Sequence, residues 1–272
     1  MVMKPLSRRD VLTTALTSML ASCIPTPLLV QDQISPEIYE EYTPSYQNLP
    51  NLPAIVFNHG LTQDSTRVEQ YVVFFTQRGY PTYIWDYPGH GKSADNTSSY
   101  SFRGFLNQLN NGLMRWDIKK PVYFGYSLGG MLSLRAALDQ PDNYSGLIIL
   151  LSADTGKHIP KEAILKQEEE KPFGLSFDPM AGAALSLEMI NFDVRERISE
   201  LKKPVLLVGG ENDMFFPPYI VYDFAQRLEE SSIPNELLML PNHVHSIPTY
   251  LDHEDFLTTR EFLGKNLEVF QN

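Results

Sequence analysis

A serine, an acid and two histidines in this chain each follow a run of apolar residues, and together these residue types can make a nucleophile. Ser127 is the centre of a Gly-x-Ser-x-Gly pentapeptide, Gly125–Gly129. Asp213 ends the loop after Val205–Val208, and the two histidines follow Leu237–Leu240. A serine hydroxyl is a poor nucleophile at neutral pH, so an imidazole must accept its proton and a carboxylate must orient that imidazole. The order Ser, Asp, His therefore predicts nucleophilic catalysis by Ser127, with Asp213 as the acid.

The base and the acid each have rivals when only the residues are considered. His243 and His245 lie in one short loop, and their side chains cannot both easily face the same serine. Glu211 and Asp154 also follow strand-like segments, so each is an alternative to Asp213 as the carboxylate. The choice of histidine therefore stays open at this point, and the acid has two weaker alternatives.

The segment around Ser127 has the pattern of a strand, a tight turn and a helix. Pro121–Phe124 has strand composition, and the turn follows directly. Behind the turn, apolar residues recur at helical spacing: Leu128, Met131, Leu132, Leu134 and Leu138. A Gly-x-Ser-x-Gly turn between strand and helix is typical of a nucleophile elbow, in which the serine backbone is strained and Oγ points away from the sheet edge.

Short apolar segments of strand type alternate with helical patterns through the rest of the chain. The strand candidates are Ala54–Phe57, Pro81–Trp85, Leu147–Leu151, Pro204–Val208 and Leu237–Leu240. The helical patterns are those starting after Asp64, at Phe102–Met114, at Pro218–Glu230 and at Glu254–Leu267. This alternation predicts an α/β fold, with a mostly parallel twisted sheet and helices on both faces. Reactive groups are then expected at the carboxyl ends of the strands.

The predicted α/β domain covers residues 54–272, and an insertion at about 155–202 interrupts the alternation of strands and helices. We interpret this insertion as a small cap over the elbow that lines an apolar pocket, although its apolar residues can equally serve to hold it on the core. The candidate pocket residues are Phe177, Met180, Leu187 and Met189 in the insertion, with Phe215 just after the predicted acid.

Acyl transfer passes through an oxyanion, which needs preorganised N–H donors. The backbone N–H groups of Leu61, after a His-Gly dipeptide, and of Leu128, after the nucleophile, are the predicted donors. By contrast, His59, Asp86 and His90 are expected to brace loops through hydrogen bonds and to take no part in the chemistry.

Charge and cysteine content limit the partners of the chain. Its 272 residues include 22 basic and 33 acidic ones, and the net charge of −11 argues against binding to nucleic-acid phosphates. With Cys23 as the only cysteine, no intramolecular disulfide can form. No metal and no cofactor are predicted.

Residues 1–22 have the three-part layout of an export signal. Ser7-Arg8-Arg9 and Leu12 resemble the bacterial twin-arginine signal, and residues 20–23 resemble a lipobox, which implies a lipid on Cys23. The prediction is an exported protein of the bacterial cell envelope; a chance cysteine in a cytoplasmic protein is the alternative. Residues 23–53 are rich in proline and predict an extended tether, with room for one edge strand near residues 39–46.

Taken together, the motifs resemble those of the α/β-hydrolase superfamily over residues 54 to about 265. They are the Asn58–Leu61 segment, the Asp86–Ser93 loop, the Gly125–Gly129 elbow, Gly210–Asp213 and His245-Ser246. The Pro88–Ser93 segment and the Asp64–Tyr71 helix start are similar to the monoacylglycerol lipase and lysophospholipase-like branch. In that branch the catalytic histidine stands four residues after a strand-terminal proline, which implies His245 and not His243. The antiparallel hairpin usual before the first parallel strand is shortened or missing.

The resemblance implies a serine hydrolase that cleaves carboxylic esters of an apolar acyl substrate through an acyl-enzyme. An acyltransferase or a peptidase on the same scaffold is an alternative, because other nucleophiles can accept the acyl group. A lipid-anchored binding module without catalysis is a further alternative, since fold does not fix function. A dehalogenase is disfavoured, because that chemistry in this superfamily needs an aspartate where Ser127 stands.

Overall fold

The computed structural model describes residues 31–32, 38–45, 52–93, 100–160, 179–250 and 253–271. The chain divides into two units, Met1–Gln31 and Asp32–Asn272, and the architecture below is that of the second. The predicted export signal, the lipobox with Cys23 and the pocket candidate Phe177 lie outside the described residues, as does the side chain of Met180.

The second unit is built on a twisted sheet whose strands follow the predicted apolar segments closely. Strand β1 (Gln31–Asp32) spans the boundary between the two units. The strands of the second unit are β2 (Glu40–Thr43), β3 (Ile55–Asn58), β4 (Thr82–Trp85), β5 (Val122–Tyr126), β6 (Gly146–Leu150), β7 (Val205–Gly210) and β8 (Asn235–Leu240). From β2 onward their order across the sheet is β2-β4-β3-β5-β6-β7-β8. All neighbours from β4 to β8 are parallel, and β2 pairs antiparallel with β4.

The described residues include six α-helices between and after these strands. They are α1 (Glu69–Thr76), α2 (Phe102–Arg115), α3 (Leu128–Asp139), α4 (Pro179–Asn191), α5 (Pro218–Glu230) and α6 (His253–Asn266). Local sequence fixes several of their starts: Asp64 accepts from Thr66 N (3.0 Å) before a short 3₁₀ turn that precedes α1, and the Ser101 hydroxyl accepts from Gly104 N (3.0 Å) at the start of α2.

Side chains of the central strands alternate between two apolar layers, one on each face of the sheet. In β5, Tyr123 packs in the layer formed with α2, α3 and α5, whereas Val122 and Phe124 pack in the layer formed with α1 and α6. Because both faces are covered, the strands are apolar throughout, as expected for parallel sheets. The predicted α/β fold with helices on both faces is confirmed.

One stretch of the predicted tether at residues 23–53 forms a strand, near the position for which the sequence left room. Residues 38–45 are described, and within them Glu40–Thr43 forms strand β2, which pairs antiparallel with β4. The Glu40 carboxylate is buried and accepts from Arg115 Nη1 (2.5 Å) and Trp116 Nε1 (3.2 Å) on the chain around the end of α2. Proline density indicated an extended chain, but it could not show that this chain pairs with β4. None of the helices in the described ranges is long and apolar enough to cross a membrane.

Candidate active site

Ser127 occupies the sharp turn between strand β5 and helix α3. Its backbone has φ 53° and ψ −120°, a conformation that residues other than glycine rarely adopt and that costs about 1–3 kcal/mol. Ser127 N donates to the carbonyl of Leu150 at the end of β6 (3.0 Å), which fixes the turn against the neighbouring strand. This geometry is that of a nucleophile elbow.

The glycines around Ser127 are required by close packing of main chain on main chain. A Cβ atom on Gly129 would overlap the carbonyl groups of Asn58 and His59, and one on Gly125 would overlap the backbone of Gly129. Helix α3 therefore begins in direct contact with the loop that follows β3. Only residues without a side chain allow this approach.

Ser127, His245 and Asp213 form a continuous chain of hydrogen bonds. Ser127 Oγ lies 2.9 Å from His245 Nε2, and His245 Nδ1 lies 2.8 Å from Asp213 Oδ2. The second oxygen, Asp213 Oδ1, accepts from the backbone N–H groups of Phe215 (2.8 Å) and Phe216 (2.9 Å). The carboxylate is thus held in one orientation by the turn that carries it.

These contacts determine which nitrogen of His245 is free to act as a base. A carboxylate oxygen only accepts, so His245 Nδ1 carries the proton that is donated to Asp213. His245 Nε2 then presents its lone pair to the hydroxyl of Ser127. The side chains of Asp213 and His245 are 0% and 8% exposed, so this arrangement lies in a medium where charge interactions are weakly screened.

Three aromatic rings surround His245. The ring centres of Phe215, Phe216 and Tyr126 lie 4.7, 5.6 and 5.6 Å from that of the imidazole. Among the predicted pocket residues whose side chains the structure describes, Phe215 lies against the predicted triad. The other two rings were not predicted as part of the site, although Tyr126 precedes the nucleophile and Phe216 follows the acid by three residues.

The rival residues are engaged elsewhere. His243 Nδ1 lies 2.6 Å from Asp255 Oδ2, and its Nε2 lies 2.7 Å from the Ser246 carbonyl. Asp154 is fully buried and accepts twice from Arg227, at 2.7 and 3.0 Å; burial raises the pKa of this carboxyl. Glu211 is exposed. The structure therefore brings His245 and Asp213, and not these three residues, into line with the serine.

The predicted oxyanion donors lie in two segments that the sheet holds side by side. Strands β3 and β5 are paired neighbours, with Asn58 opposite Gly125. Leu61 follows β3 and Leu128 begins α3, and both residues are buried. Their N–H groups therefore belong to the two loops that meet at the elbow, as a two-donor oxyanion site requires.

His59 and His90 form a buried group behind the loop that carries Leu61. His59 Nε2 accepts from Tyr87 N (3.1 Å), and its Nδ1 donates to the Gly60 carbonyl (2.9 Å). Burial lowers the pKa of both His59 and His90 to about 4, so both rings are neutral in the folded protein at neutral pH. These contacts brace the loop.

The pocket candidates in the insertion lie in two different settings. Leu187 on α4 is 63% exposed, whereas Met189 is buried and belongs to the apolar layer on the α2 and α3 side of the sheet. No cluster of three or more metal-ligating side chains occurs in the part of the chain that the structure describes.

Comparison with solved structures identifies this architecture. An esterase from Exiguobacterium antarcticum superimposes with a TM-score of 0.67, at 17% identity over 84% of this chain and 95% of the esterase. A monoacylglycerol lipase from Paleococcus ferrophilus gives 0.61, at 20% identity over 84% and 98%. The fold is that of the α/β-hydrolase superfamily. The α/β-hydrolase fold that the motifs predicted is thereby confirmed.

Sequence comparisons find similarity to hydrolases. The family model described as "Serine aminopeptidase, S33" matches residues 50–169, which is less than half of the chain. The uncharacterized hydrolase YugF from Bacillus subtilis (strain 168) is 25% identical over 237 residues, covering 72% of this chain and 84% of that protein. These matches support a hydrolase.

Proposed function

We propose that this α/β-hydrolase is a serine hydrolase that cleaves carboxylic esters of apolar acyl substrates through an acyl-enzyme. The observation that carries the proposal is the Ser127–His245–Asp213 hydrogen-bond chain, with distances of 2.9 and 2.8 Å, at a strained elbow. The esterase and the monoacylglycerol lipase among the structural neighbours support the ester as the bond that is cleaved.

In the first half-reaction, Ser127 Oγ forms a bond to the carbonyl carbon of the ester while His245 Nε2 accepts the hydroxyl proton. The resulting oxyanion is stabilised by the N–H groups of Leu61 and Leu128. The C–O bond to the alcohol then breaks, and the proton moves from His245 to the departing alkoxide. Asp213 remains ionised and stabilises the imidazolium throughout.

In the second half-reaction, water attacks the acyl carbon and gives its proton to His245 Nε2. The tetrahedral intermediate collapses, Ser127 leaves with that proton, and the free acid is released. The same residues therefore act in both halves, with His245 alternating between base and acid.

The acyl preference is tested with p-nitrophenyl esters of increasing chain length. We expect medium chains to be cleaved with higher kcat/KM than acetate, because each methylene buried in an apolar pocket contributes about 0.8 kcal/mol. Ser127→Ala is the control for hydrolysis at other sites. A preference for acetate over every medium chain would contradict an apolar acyl substrate.

A peptidase is the second candidate, and the description of the matching family model favours it. An aminopeptidase would cleave aminoacyl p-nitroanilides with kcat/KM comparable to that for esters. The ester proposal predicts cleavage of p-nitrophenyl esters and no Ser127-dependent release of p-nitroaniline. Added alcohols that divert the acyl group from water would instead indicate acyl transfer.

We also propose export and attachment to a membrane of the bacterial cell envelope through a lipid on Cys23. The twin-arginine-like and lipobox patterns in residues 1–23 support this proposal. Cys23→Ala should then move the protein out of the membrane fraction or leave it unprocessed. Unchanged fractionation of this variant would reject the lipid attachment.

A further inference from the structure

A second histidine–carboxylate pair lies beside the predicted base. It consists of His243, whose side chain is 3% exposed, and Asp255 in the first turn of α6, whose side chain is 27% exposed. His243 Nδ1 lies 2.6 Å from Asp255 Oδ2, and His243 Nε2 donates to the carbonyl oxygen of Ser246 at 2.7 Å. A carbonyl oxygen only accepts, so Nε2 carries a proton.

The geometry of this pair constrains the backbone on both sides of His245. The imidazole connects residue 243 to the carbonyl of Ser246, the residue directly after the base, and so closes a short loop around Val244 and His245. Within this loop Ser246 N donates to the Val244 carbonyl (2.7 Å). These hydrogen bonds therefore hold the backbone on both sides of His245.

The backbone of His243 also contacts the loop that carries the acid. Its carbonyl accepts from Asn212 N (2.9 Å), and Asn212 Nδ2 donates to the carbonyl of Asn242 (3.2 Å). Asn212 directly precedes Asp213. His243 thus joins three parts of the fold. Its carbonyl contacts the loop that carries Asp213, its Nε2 contacts the loop that carries His245, and its Nδ1 contacts helix α6.

Other side-chain contacts to the loop that carries His245 are longer than those of the His243 ring, or lie further along the chain from His245. Tyr126 Oη lies 3.5 Å from the His245 carbonyl, and Gln70 and Tyr71 donate at 3.1 Å to the carbonyl of Pro248, three residues further on. The hydrogen bonds of the His243 ring, at 2.6 and 2.7 Å, are the short side-chain contacts described next to the base. Hydrogen bonds to an ionised carboxylate are also stronger than hydrogen bonds between two neutral groups.

We propose that His243 and Asp255 are positioning residues, which hold His245 in line with both Ser127 and Asp213. Neither touches the reacting atoms. Proton transfer at Ser127 depends on a distance of 2.9 Å, and misplacement of a catalytic group by about 1 Å can cost roughly 100-fold in rate. This inference rests on the proposed function, since it assigns a role relative to the base of that reaction.

The test compares Asp255→Ala with Glu254→Gln, which removes a neighbouring negative charge from the same exposed helix turn. We expect kcat for a p-nitrophenyl ester to fall about 10-fold or more in Asp255→Ala, with KM within about 2-fold of wild type. Glu254→Gln should retain wild-type kcat. An unchanged kcat in Asp255→Ala would overturn the proposal, and so would an equal loss in the control.

Nuclear magnetic resonance on the wild-type protein provides a readout that does not depend on how a variant folds. The Nε2 proton of His243 should be observed as a hydrogen-bonded, slowly exchanging signal, because it is donated to the Ser246 carbonyl. In Asp255→Ala, the Nδ1 proton of His245 should shift or broaden, because its alignment with Asp213 is loosened. A His243 Nε2 proton that exchanges freely with solvent would contradict the proposal.

These measurements separate the inference from the proposed function. If wild-type protein hydrolyses no ester and Ser127 does not react with a fluorophosphonate, the proposed function fails. The resonance data would still decide whether the His243–Asp255 pair holds His245. If wild type is active and the variant is equally active, only the positioning role fails.

Discussion

Ser127, His245 and Asp213 form the arrangement on which the proposed chemistry depends. Each is held in place: Ser127 by the strained turn that carries it, Asp213 by two N–H donors of its own loop, and His245 by the Asp213 carboxylate. The hydroxyl therefore faces a nitrogen that is free to accept its proton. An isolated serine in water has no such partner.

Removing the base or the acid should lower catalysis strongly. We expect His245→Ala and Asp213→Asn each to reduce kcat by about 10³- to 10⁴-fold, because the serine proton then has no correctly oriented acceptor. Initial rates of p-nitrophenyl ester hydrolysis measure the effect. Glu211→Gln is the matched control, since Glu211 is an exposed acid two residues from Asp213. A loss as large in Glu211→Gln as in Asp213→Asn would mean that the acid is wrongly assigned.

The residue types and their order predicted Ser127 as the nucleophile, Asp213 as the acid and a histidine as the base. They did not decide which of the two histidines is the base. It depended on a family resemblance, because His243 and His245 have the same type and nearly the same position. Asp255 carried no signal at all: it lies 12 residues from His243, in a helix that the pattern assigned only to the core. Such a contact depends on where α6 packs.

At the scale of elements, a strand–turn–helix unit and one neighbouring loop create the site. The β5–Ser127–α3 unit was predictable because its apolar periodicity changes from strand to helix across two glycines. For strand β2, the sequence indicated an extended segment with room for one strand near residues 39–46, but not its partner in the sheet. The buried Glu40 carboxylate of this strand accepts hydrogen bonds from Arg115 and Trp116, which are 75 and 76 residues away. Local sequence does not encode contacts between residues so far apart.

The contact between α3 and the loop after β3 gives a prediction for Gly129→Ala. The added methyl group would overlap the carbonyl groups of Asn58 and His59, so we expect a loss of about 1–3 kcal/mol in the free energy of unfolding. Fluorophosphonate reactivity of Ser127 should fall as well, because the elbow and the loop with Leu61 move apart. Urea unfolding and intact mass measure the two effects.

Gly264→Ala is the control for this substitution. A Cβ atom there would have its nearest neighbours at 3.8 and 4.0 Å, within ordinary contact. Since alanine favours a helix over glycine by about 1 kcal/mol, this variant should be as stable as wild type or more so. Equal stability of the two variants would show that the elbow does not need the close approach.

On the scale of the whole molecule, buried ionisable groups determine how stability depends on pH. Burial lowers the pKa of His59 and His90 from 6.5 to about 4. The unfolded chain binds protons at these rings below a pH of about 6.5, whereas the folded protein does so only near pH 4. The free energy of unfolding should therefore decrease as pH falls from about 6.5 to about 4, by up to roughly 3 kcal/mol per histidine.

The histidine contribution is measured by urea unfolding of wild type and His90→Asn across this range. Burial also raises the pKa of Asp86, which acts in the opposite sense, because a carboxyl with a raised folded pKa loses stabilisation as pH rises. The difference between the two proteins isolates the histidine. We expect a shallower pH dependence in His90→Asn than in wild type or in His253→Gln, which changes an exposed histidine. Identical slopes in all three proteins would contradict a buried neutral His90.

The central claim is that Ser127 is a nucleophile activated by His245, and covalent labelling tests it most directly. Folded wild-type protein treated with an alkyl fluorophosphonate should gain one phosphonyl group on Ser127, located by peptide mass spectrometry. Ser127→Ala should gain none, and His245→Ala should react far more slowly. Absence of the adduct on Ser127 in folded wild-type protein, or labelling of His245→Ala at the wild-type rate, would contradict the account.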